Sequence, residues 1–240
     1  MALSPPEVIS RPVVRAIEAL ADGRPLLIFD AEDREGEVDL VYLSESITPA
    51  RVRELRREAG GVICAAIPEE LARRVGLPFF TELLAEAQPR FPITGRLIER
   101  PRYDARSAFG LTVNHRGTFT GIPDRDRAQT IGAIGRWVAR STRTDDRAVA
   151  EEFAAEFSAP GHVPLLYAAE GLSRTRRGHT ELSMALARMG GLSESTTVCE
   201  MLGEDDGPLP RGLARPYAER HDGVFIEGRE IADAWGRWSE

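Results

Sequence analysis

An alternation of strands and helices predicts one α/β-type domain built on a mixed β-sheet. Three observations carry that expectation. Short apolar or β-branched runs alternate with stretches of helical spacing along the 240 residues. Two neighbouring strand pairs read as hairpins, and a hairpin pairs its strands antiparallel, so the sheet is not purely parallel. No internal repeat, low-complexity tract or interior linker divides the chain.

Residues 1–12 hold three of the 16 prolines and read as a frayed lead-in. Residues 13–20 have helical spacing and stop at Asp22-Gly23. Residues 25–30 read as a buried strand and residues 40–44 as its partner, with the mostly charged stretch 33–39 between them. Thr48 and Pro49 are an N-cap and first-turn proline for a helix reaching Gly60-Gly61, and residues 62–67 are the next strand. Pro68 opens a helix that ends at Gly76. Residues 85–106 contain three prolines and no clear periodicity, which predicts a long loop of the kind that often carries function.

Residues 107–114 and 118–122 make the second candidate hairpin, around Arg116-Gly117, followed by a helix over 124–139. The polar run 141–147 reads as a surface turn or insertion. Residues 148–157 are helical, and Pro160-Gly161 breaks that helix before a short strand at 162–167. Gly178 precedes a helix over 179–189 closed by Gly190-Gly191, and β-branched content makes 195–202 a strand. The tail alternates once more, with a helix to His221, a strand over 224–227 and a last helix to Trp238.

All 31 basic residues are arginine. The absence of lysine excludes Schiff-base catalysis, a pyridoxal phosphate anchor and a P-loop lysine, because each needs a primary amine on a flexible stem. A formal charge of −7 argues against binding nucleic acid, while the arginines suit bidentate recognition of small anions. The longest apolar run is about six residues against the ~18 of a membrane span, so no membrane partner is expected. Two cysteines, Cys64 and Cys199, without a signal-peptide pattern imply a reducing, cytoplasmic setting. No cysteine pair has zinc spacing, and neither Gly-x-Gly-x-x-Gly nor Gly-x-Ser-x-Gly occurs.

Two clusters carry chemistry. Asp30, Glu32, Asp33, Glu35, Glu37 and Asp39 crowd around the single cation Arg34, and Glu35, Glu37 and Asp39 share a face if the chain is extended there. A solvated hairpin tip explains the run, and so does a site for a hard cation such as Mg²⁺ or Mn²⁺. The second cluster, Arg174, Arg176, Arg177, Gly178, His179, Thr180 and Glu181, lies where a loop becomes a helix. Unpaired N–H groups, the helix dipole and guanidiniums together suit a phosphate, although an arginine-rich loop with Thr180 as a plain cap fits too. Cys64 reads as buried and inert, His162 as a hydrogen-bonded strand residue, and Cys199 and Glu200 as pointing to opposite faces of one strand. Thr118, Thr120, Asp124, Asp126 and Arg127 line a turn into a helix, where they either cap it or touch phosphate.

The segment Asp30-Ala31-Glu32-Asp33-Arg34-Glu35-Gly36-Glu37-Val38-Asp39 followed by Gly61-Val62-Ile63-Cys64 resembles the opening of the 3,4-dihydroxy-2-butanone 4-phosphate synthase family of riboflavin biosynthesis. The likeness continues in order through Thr120-Gly121-Ile122 with Asp126-Arg127, Pro160-Gly161-His162-Val163, Glu170-Gly171-Leu172, Arg176-Arg177-Gly178-His179-Thr180-Glu181 and Cys199-Glu200, spanning most of residues 13–235. It implies a three-layer α+β sandwich, with a mixed twisted sheet covered by helices, as a single domain. It implies conversion of D-ribulose 5-phosphate to 3,4-dihydroxy-2-butanone 4-phosphate and formate by a homodimer with interfacial active sites and two divalent ions, Mg²⁺ or Mn²⁺, per site.

Carried over by motif, Glu35 and His179 hold metal, and Arg34, Asp39, Thr120, Arg176, Arg177, Gly178, Thr180 and Glu200 contact substrate. Asp30, Glu37, Cys64 and His162 fall at further active-site positions, His162 reaching in from the partner subunit. In that reading Glu37 or Asp30 removes the C3 proton and Glu200 or His162 moves later protons. Gly36 and Val38 depart from the bacterial form of the first motif, and the non-glycine at 38 is similar to the archaeal branch. The sequence stops without the GTP cyclohydrolase II domain often fused to the family, so one activity is expected. Two rivals stay open: a paralogue acting on another phosphoketose, and a catalytically silent phosphosugar-binding protein.

Overall fold

Pro12 and the apolar spacing of Val13, Ala16, Ala19 and Leu20 start α1 (Arg11–Ala21) and give it one buried face. The computed structural model describes residues 9–141 and 145–239. The first eight positions of the lead-in, and 142–144 of the polar run, lie outside the described residues. β1 (Leu26–Phe29), apolar throughout and buried on both sides, turns through the charged loop into antiparallel β2 (Val38–Leu43), the first expected hairpin. The Thr48 side chain accepts from the Arg51 N–H at 3.3 Å and caps α2 (Pro49–Glu54). A π-helical turn, Leu55–Ala59, carries α2 on to Gly60, whose φ of 90° ends it.

The remaining elements are β3 (Cys64–Pro68), α3 (Glu69–Arg74), α4 (Phe80–Ala87), α5 (Ile93–Arg96), β4 (Phe109–His115), α6 (Asp124–Ser141), α7 (Asp146–Glu156) and β5 (Phe157–Ala168). After these come α8 (His179–Met189), β6 (Thr196–Glu200), α9 (Arg211–Arg220), β7 (Val224–Glu227) and α10 (Gly228–Trp238). Among the described residues the strands form one seven-stranded sheet in the order β4-β5-β3-β6-β2-β1-β7. β3 with β5 and β1 with β7 run parallel, and the other neighbours are antiparallel.

Alternate side chains feed two cores. Leu26, Ile28, Val41 and Val198 pack under α1, α8 and α10, whereas Leu27, Phe29, Tyr42 and Cys199 pack under α2, α6, α7 and α9. The result is the expected three-layer α+β sandwich. No helix among the described residues is long and apolar enough to cross a membrane.

The second expected hairpin does not form. β4 pairs with β5, His115 opposite Phe157, while 118–122 is a turn. The turn is held by local bonds: the Thr118 hydroxyl donates to the His115 carbonyl at 2.7 Å, and Gly121, at φ 84°, donates its N–H to the Asp126 carboxylate at 3.1 Å. These groups serve the start of α6, so none remains for a ladder. β5 also begins at Phe157 and runs through Pro160-Gly161, where a register shift bends the pair. Gly161 permits this because a Cβ there would lie 1.9 Å from the Val113 carbonyl carbon. The expected loop 85–106 is shortened by the end of α4 and by α5. The Glu82 carboxylate reaches back to the Phe79 N–H at 2.8 Å to cap α4, a local bond that apolar periodicity does not report.

Candidate active site

The charged run after β1 is organised by one carboxylate. Asp30 Oδ1 accepts the N–H groups of Gly36 and Glu37, each at 3.1 Å, and Oδ2 accepts the Glu35 N–H at 3.1 Å and Arg34 Nη1 at 2.9 Å. The loop is therefore folded back on a buried acid and is not a solvated tip. Gly36, at φ 69°, supplies the tight turn this requires.

Three further polar groups arrive from the sheet. Asp39 on β2 pairs with Glu200 on β6, and Cys64 at the start of β3 pairs with Val198, so Asp39, Glu200 and Cys64 share the face that α8 covers. Cys199 points the other way, as its neighbour's position requires. Glu200 accepts the Val62 N–H at 2.8 Å, and a Cβ on Gly61 would stand 2.4 Å from its carboxylate, so this approach needs glycine. Both cysteines are free and buried, and burial pushes the Cys64 thiol well above its ordinary range.

α8 brings His179 and Thr180 over these strands. His179 Nε2 donates to the Glu37 carbonyl at 3.1 Å, and Nδ1 faces Glu35 at 3.3 Å and Asp39 at 3.5 Å. Burial opposes the imidazolium, yet Asp39 and the Glu35 hydrogen bond outweigh it and raise His179 to about 9. Burial likewise opposes ionised Glu35, but His179 and Arg34 hold it down at about 2. Asp39 goes the other way, pushed up to about 7 by burial against the pull of His179, with Glu200 and Glu35 adding repulsion.

The donor set fits a hard divalent ion. Asp30, Glu35 and His179 offer ligand atoms all within 4.8 Å of one another, and the buried Asp39 Oδ1 has no hydrogen-bond partner among the described residues. A cation in their midst would offset the burial and the added repulsion that lift Asp39.

Arg34 and Arg176 form the other half of the pocket, with Tyr103 and Asp104 of the irregular segment 97–108 closing it. The cavity is about 100 Å³. A roomier hollow of about 480 Å³ lies beside α3 and α6, but there Arg74 is tied to Asp146 and Arg188 to Glu194. The convergent chemistry lies in the smaller cavity.

Of the residues singled out from sequence, Arg34, Glu35, Asp39, Cys64, Arg176, His179, Thr180 and Glu200 line this cavity. Asp30, Glu37 and Gly178 lie directly behind it, through the bonds above and the start of α8. Arg177 is exposed and does not line it. Thr120 and His162 are exposed elsewhere, His162 taking its N–H bond to the Asn114 side chain at 2.8 Å. Asp104 and Tyr103 were not singled out. Their only sequence signal is a charged, aromatic stretch in a long unpatterned segment, because their partners lie about 70 positions away.

A mixed sheet between helical layers, with acids and guanidiniums meeting on one face at the strand ends, defines an α+β protein with a polar cavity whose donor set fits a divalent cation. The family model for 3,4-dihydroxy-2-butanone 4-phosphate synthase matches residues 14–234, and the chain belongs to that family. It is 44% identical over 229 residues to the 3,4-dihydroxy-2-butanone 4-phosphate synthase of Methanosarcina mazei, covering 94% of this chain and 91% of the relative. Among solved structures, the synthase of Candida albicans superposes with a TM-score of 0.69 at 27% identity, covering 94% of this chain and 97% of that one. A synthase in complex with two magnesium ions shares the fold at TM-score 0.71 and 22% identity, covering 92% and 95%.

Proposed function

We propose that this chain converts D-ribulose 5-phosphate to 3,4-dihydroxy-2-butanone 4-phosphate and formate, in riboflavin biosynthesis, with Mg²⁺ or Mn²⁺ as cofactor. The observation that carries the reading is the meeting, in one cavity, of a hard-cation donor set with two guanidiniums and the start of α8. Residues 13–235 act in this reading as one catalytic unit. Glu35 and His179 would hold the two ions, with Asp39 beside them. Bound there, divalent cations supply Lewis acidity toward the sugar's ketone and hydroxyl oxygens.

The chain's own residues do the rest. Arg34, Arg176, Thr180 and the first N–H groups of α8 hold the phosphate, which fixes the reacting carbons against the acids. Glu37 takes the C3 proton. Burial, with Glu35 and Glu200 nearby, lifts its carboxyl above the ordinary range and makes it the stronger acceptor, whereas Asp30 is committed to four hydrogen bonds. Glu200 and His162 then move protons as water leaves C1, the skeleton shifts, water returns and C4 departs as formate.

His162 and Thr120 belong in this reading to the partner's site in a homodimer. In support, Phe119 beside Thr120 is 96% exposed and Ile122 half exposed, apolar surface that a second copy would cover. The free, buried cysteines fit a cytoplasmic protein.

The test is purified protein with ribulose 5-phosphate and Mg²⁺, following formate against the four-carbon phosphoketone. Stoichiometric formate that stops on chelation is expected. Tight, metal-dependent binding of the sugar phosphate without formate would sink the synthase reading.

A further inference from the structure

We propose that Asp104 is a built-in occupant of the anion subsite, a carboxylate gate that a phosphate group displaces and a neutral sugar does not. The inference rests on the anion half of the reading above. Arg34 spends Nη1 on Asp30 and Glu35, at 2.9 and 2.8 Å, and Arg176 spends Nη1 on Glu181 at 2.6 Å. Three of their other donors converge on one oxygen, while Arg34 Nε is buried without a hydrogen-bond partner among the described residues. Asp104 Oδ2 lies 2.8 Å from Arg34 Nη2, 2.9 Å from Arg176 Nε and 2.7 Å from Arg176 Nη2. A phosphate gripped by both guanidiniums would have to stand where that oxygen stands.

The four carboxylates on these arginines are not equally fixed, and Glu35 is also faced by His179 Nδ1 at 3.3 Å. Asp30 is anchored by three backbone N–H groups, and Glu181 by the Ala169 N–H at 2.9 Å and by its place in α8. Asp104 belongs to no helix or strand, and its own N–H reaches the Pro101 carbonyl only at 3.4 Å. It is the displaceable member, although its side chain is only 10% exposed. The cavity beneath this segment, about 100 Å³, falls short of the roughly 300–1,000 Å³ of a ligand site, so the roof has to lift.

The exchange selects by charge. A phosphate dianion replaces one carboxylate with a group of greater charge and more acceptor oxygens. A hydroxyl leaves two partly buried guanidiniums without the anionic acceptor they share, a loss the neutral sugar does not offset.

Two measurements on the full chain test this. Titration calorimetry with inorganic phosphate should give a Kd roughly tenfold lower for Asp104→Asn and Asp104→Ala than for the native protein, because no internal carboxylate competes. Weaker phosphate binding by both variants would overturn the gate and make Asp104 a brace for the arginines. Amide exchange over 99–108 needs no variant: saturating phosphate should speed it, and unphosphorylated ribulose should leave it unchanged. Slowing by phosphate, or equal opening by ribulose, would also overturn the proposal. Phosphate binding is read without turnover, so a failed formate assay leaves the gate standing and a failed gate leaves the synthase reading intact.

Discussion

Two histidines from one chain stand in opposite surroundings. His179 is buried at the start of α8 among Glu35, Asp39 and the Glu37 carbonyl, and its charge state is set by those acids. His162 is exposed on β5, with its ring at 3.2 Å from Asn114 Nδ2. The acids that tune the first, Asp39, Glu35 and Asp30, all come from its own chain. The second is held at the surface by the Asn114 side chain. In the homodimer reading, burial and function need not coincide within one subunit: part of the chemistry would sit on a surface that a second copy covers.

The largest effect should come from breaking the buried half. Glu35→Ala and His179→Ala should each lower turnover roughly a thousandfold or more and weaken Mg²⁺ or Mn²⁺ binding in the same samples. Binding is read directly by calorimetry, so normal metal affinity with lost turnover would remove these two residues from the cation site. Next is Glu37→Gln, expected to cost on the order of a hundredfold in kcat with metal affinity nearly unchanged. Full turnover in that variant would return the base role to another acid.

How much of this division was legible in the sequence follows from the range of the interactions. The charged run after β1 and the arginine-rich helix start are contiguous, so their composition alone marked them. The sheet's mixed character followed from the β1–β2 hairpin, a local pairing. The β4–β5 pairing was not legible, because Asn114 meets Ser158 across 44 positions and the intervening turn signals serve α6 instead. Asp104 escaped for the same reason: nothing near it in sequence shows that two guanidiniums converge on its carboxylate. Gly161 read as part of a break between a helix and a strand and is the place where two strands approach too closely for any side chain.

The exposed half can be tested by recombination, with a smaller effect. In the homodimer reading, a Glu35→Ala subunit still offers its His162, and a His162→Ala subunit still offers its Glu35. Mixing the two inactive variants under subunit exchange should restore about a quarter of native activity, because half of the dimers are mixed and each holds one intact site. No recovery, with exchange demonstrated by light-scattering or tagged subunits, would place His162 in its own subunit's chemistry or in none.

The smallest effect is a pH dependence that belongs to the buried half alone. In chelator, folded His179 holds its proton up to about 9 against 6.5 for the free side chain. The stability it contributes is fully present below 6.5 and is lost as pH rises through 9. Asp39, raised from 3.8 to about 7, acts in the same direction over the lower range, since the folded state again binds the proton more tightly. Glu35, lowered from 4.5 to about 2, contributes above 4.5 and loses its contribution only in strong acid, so it does not alter the slope near neutrality. Chelated protein should therefore melt about 5 °C lower at pH 9 than at pH 6.5, given roughly 2–4 °C per kcal/mol for a chain of this size. Saturating Mg²⁺ should flatten or reverse that slope, because ligation needs His179 and Asp39 without their protons. A His179→Gln variant should lose most of the slope between 6.5 and 9, and His162→Gln should keep it. If both variants behaved alike, the two histidines would not differ as their surroundings say they do.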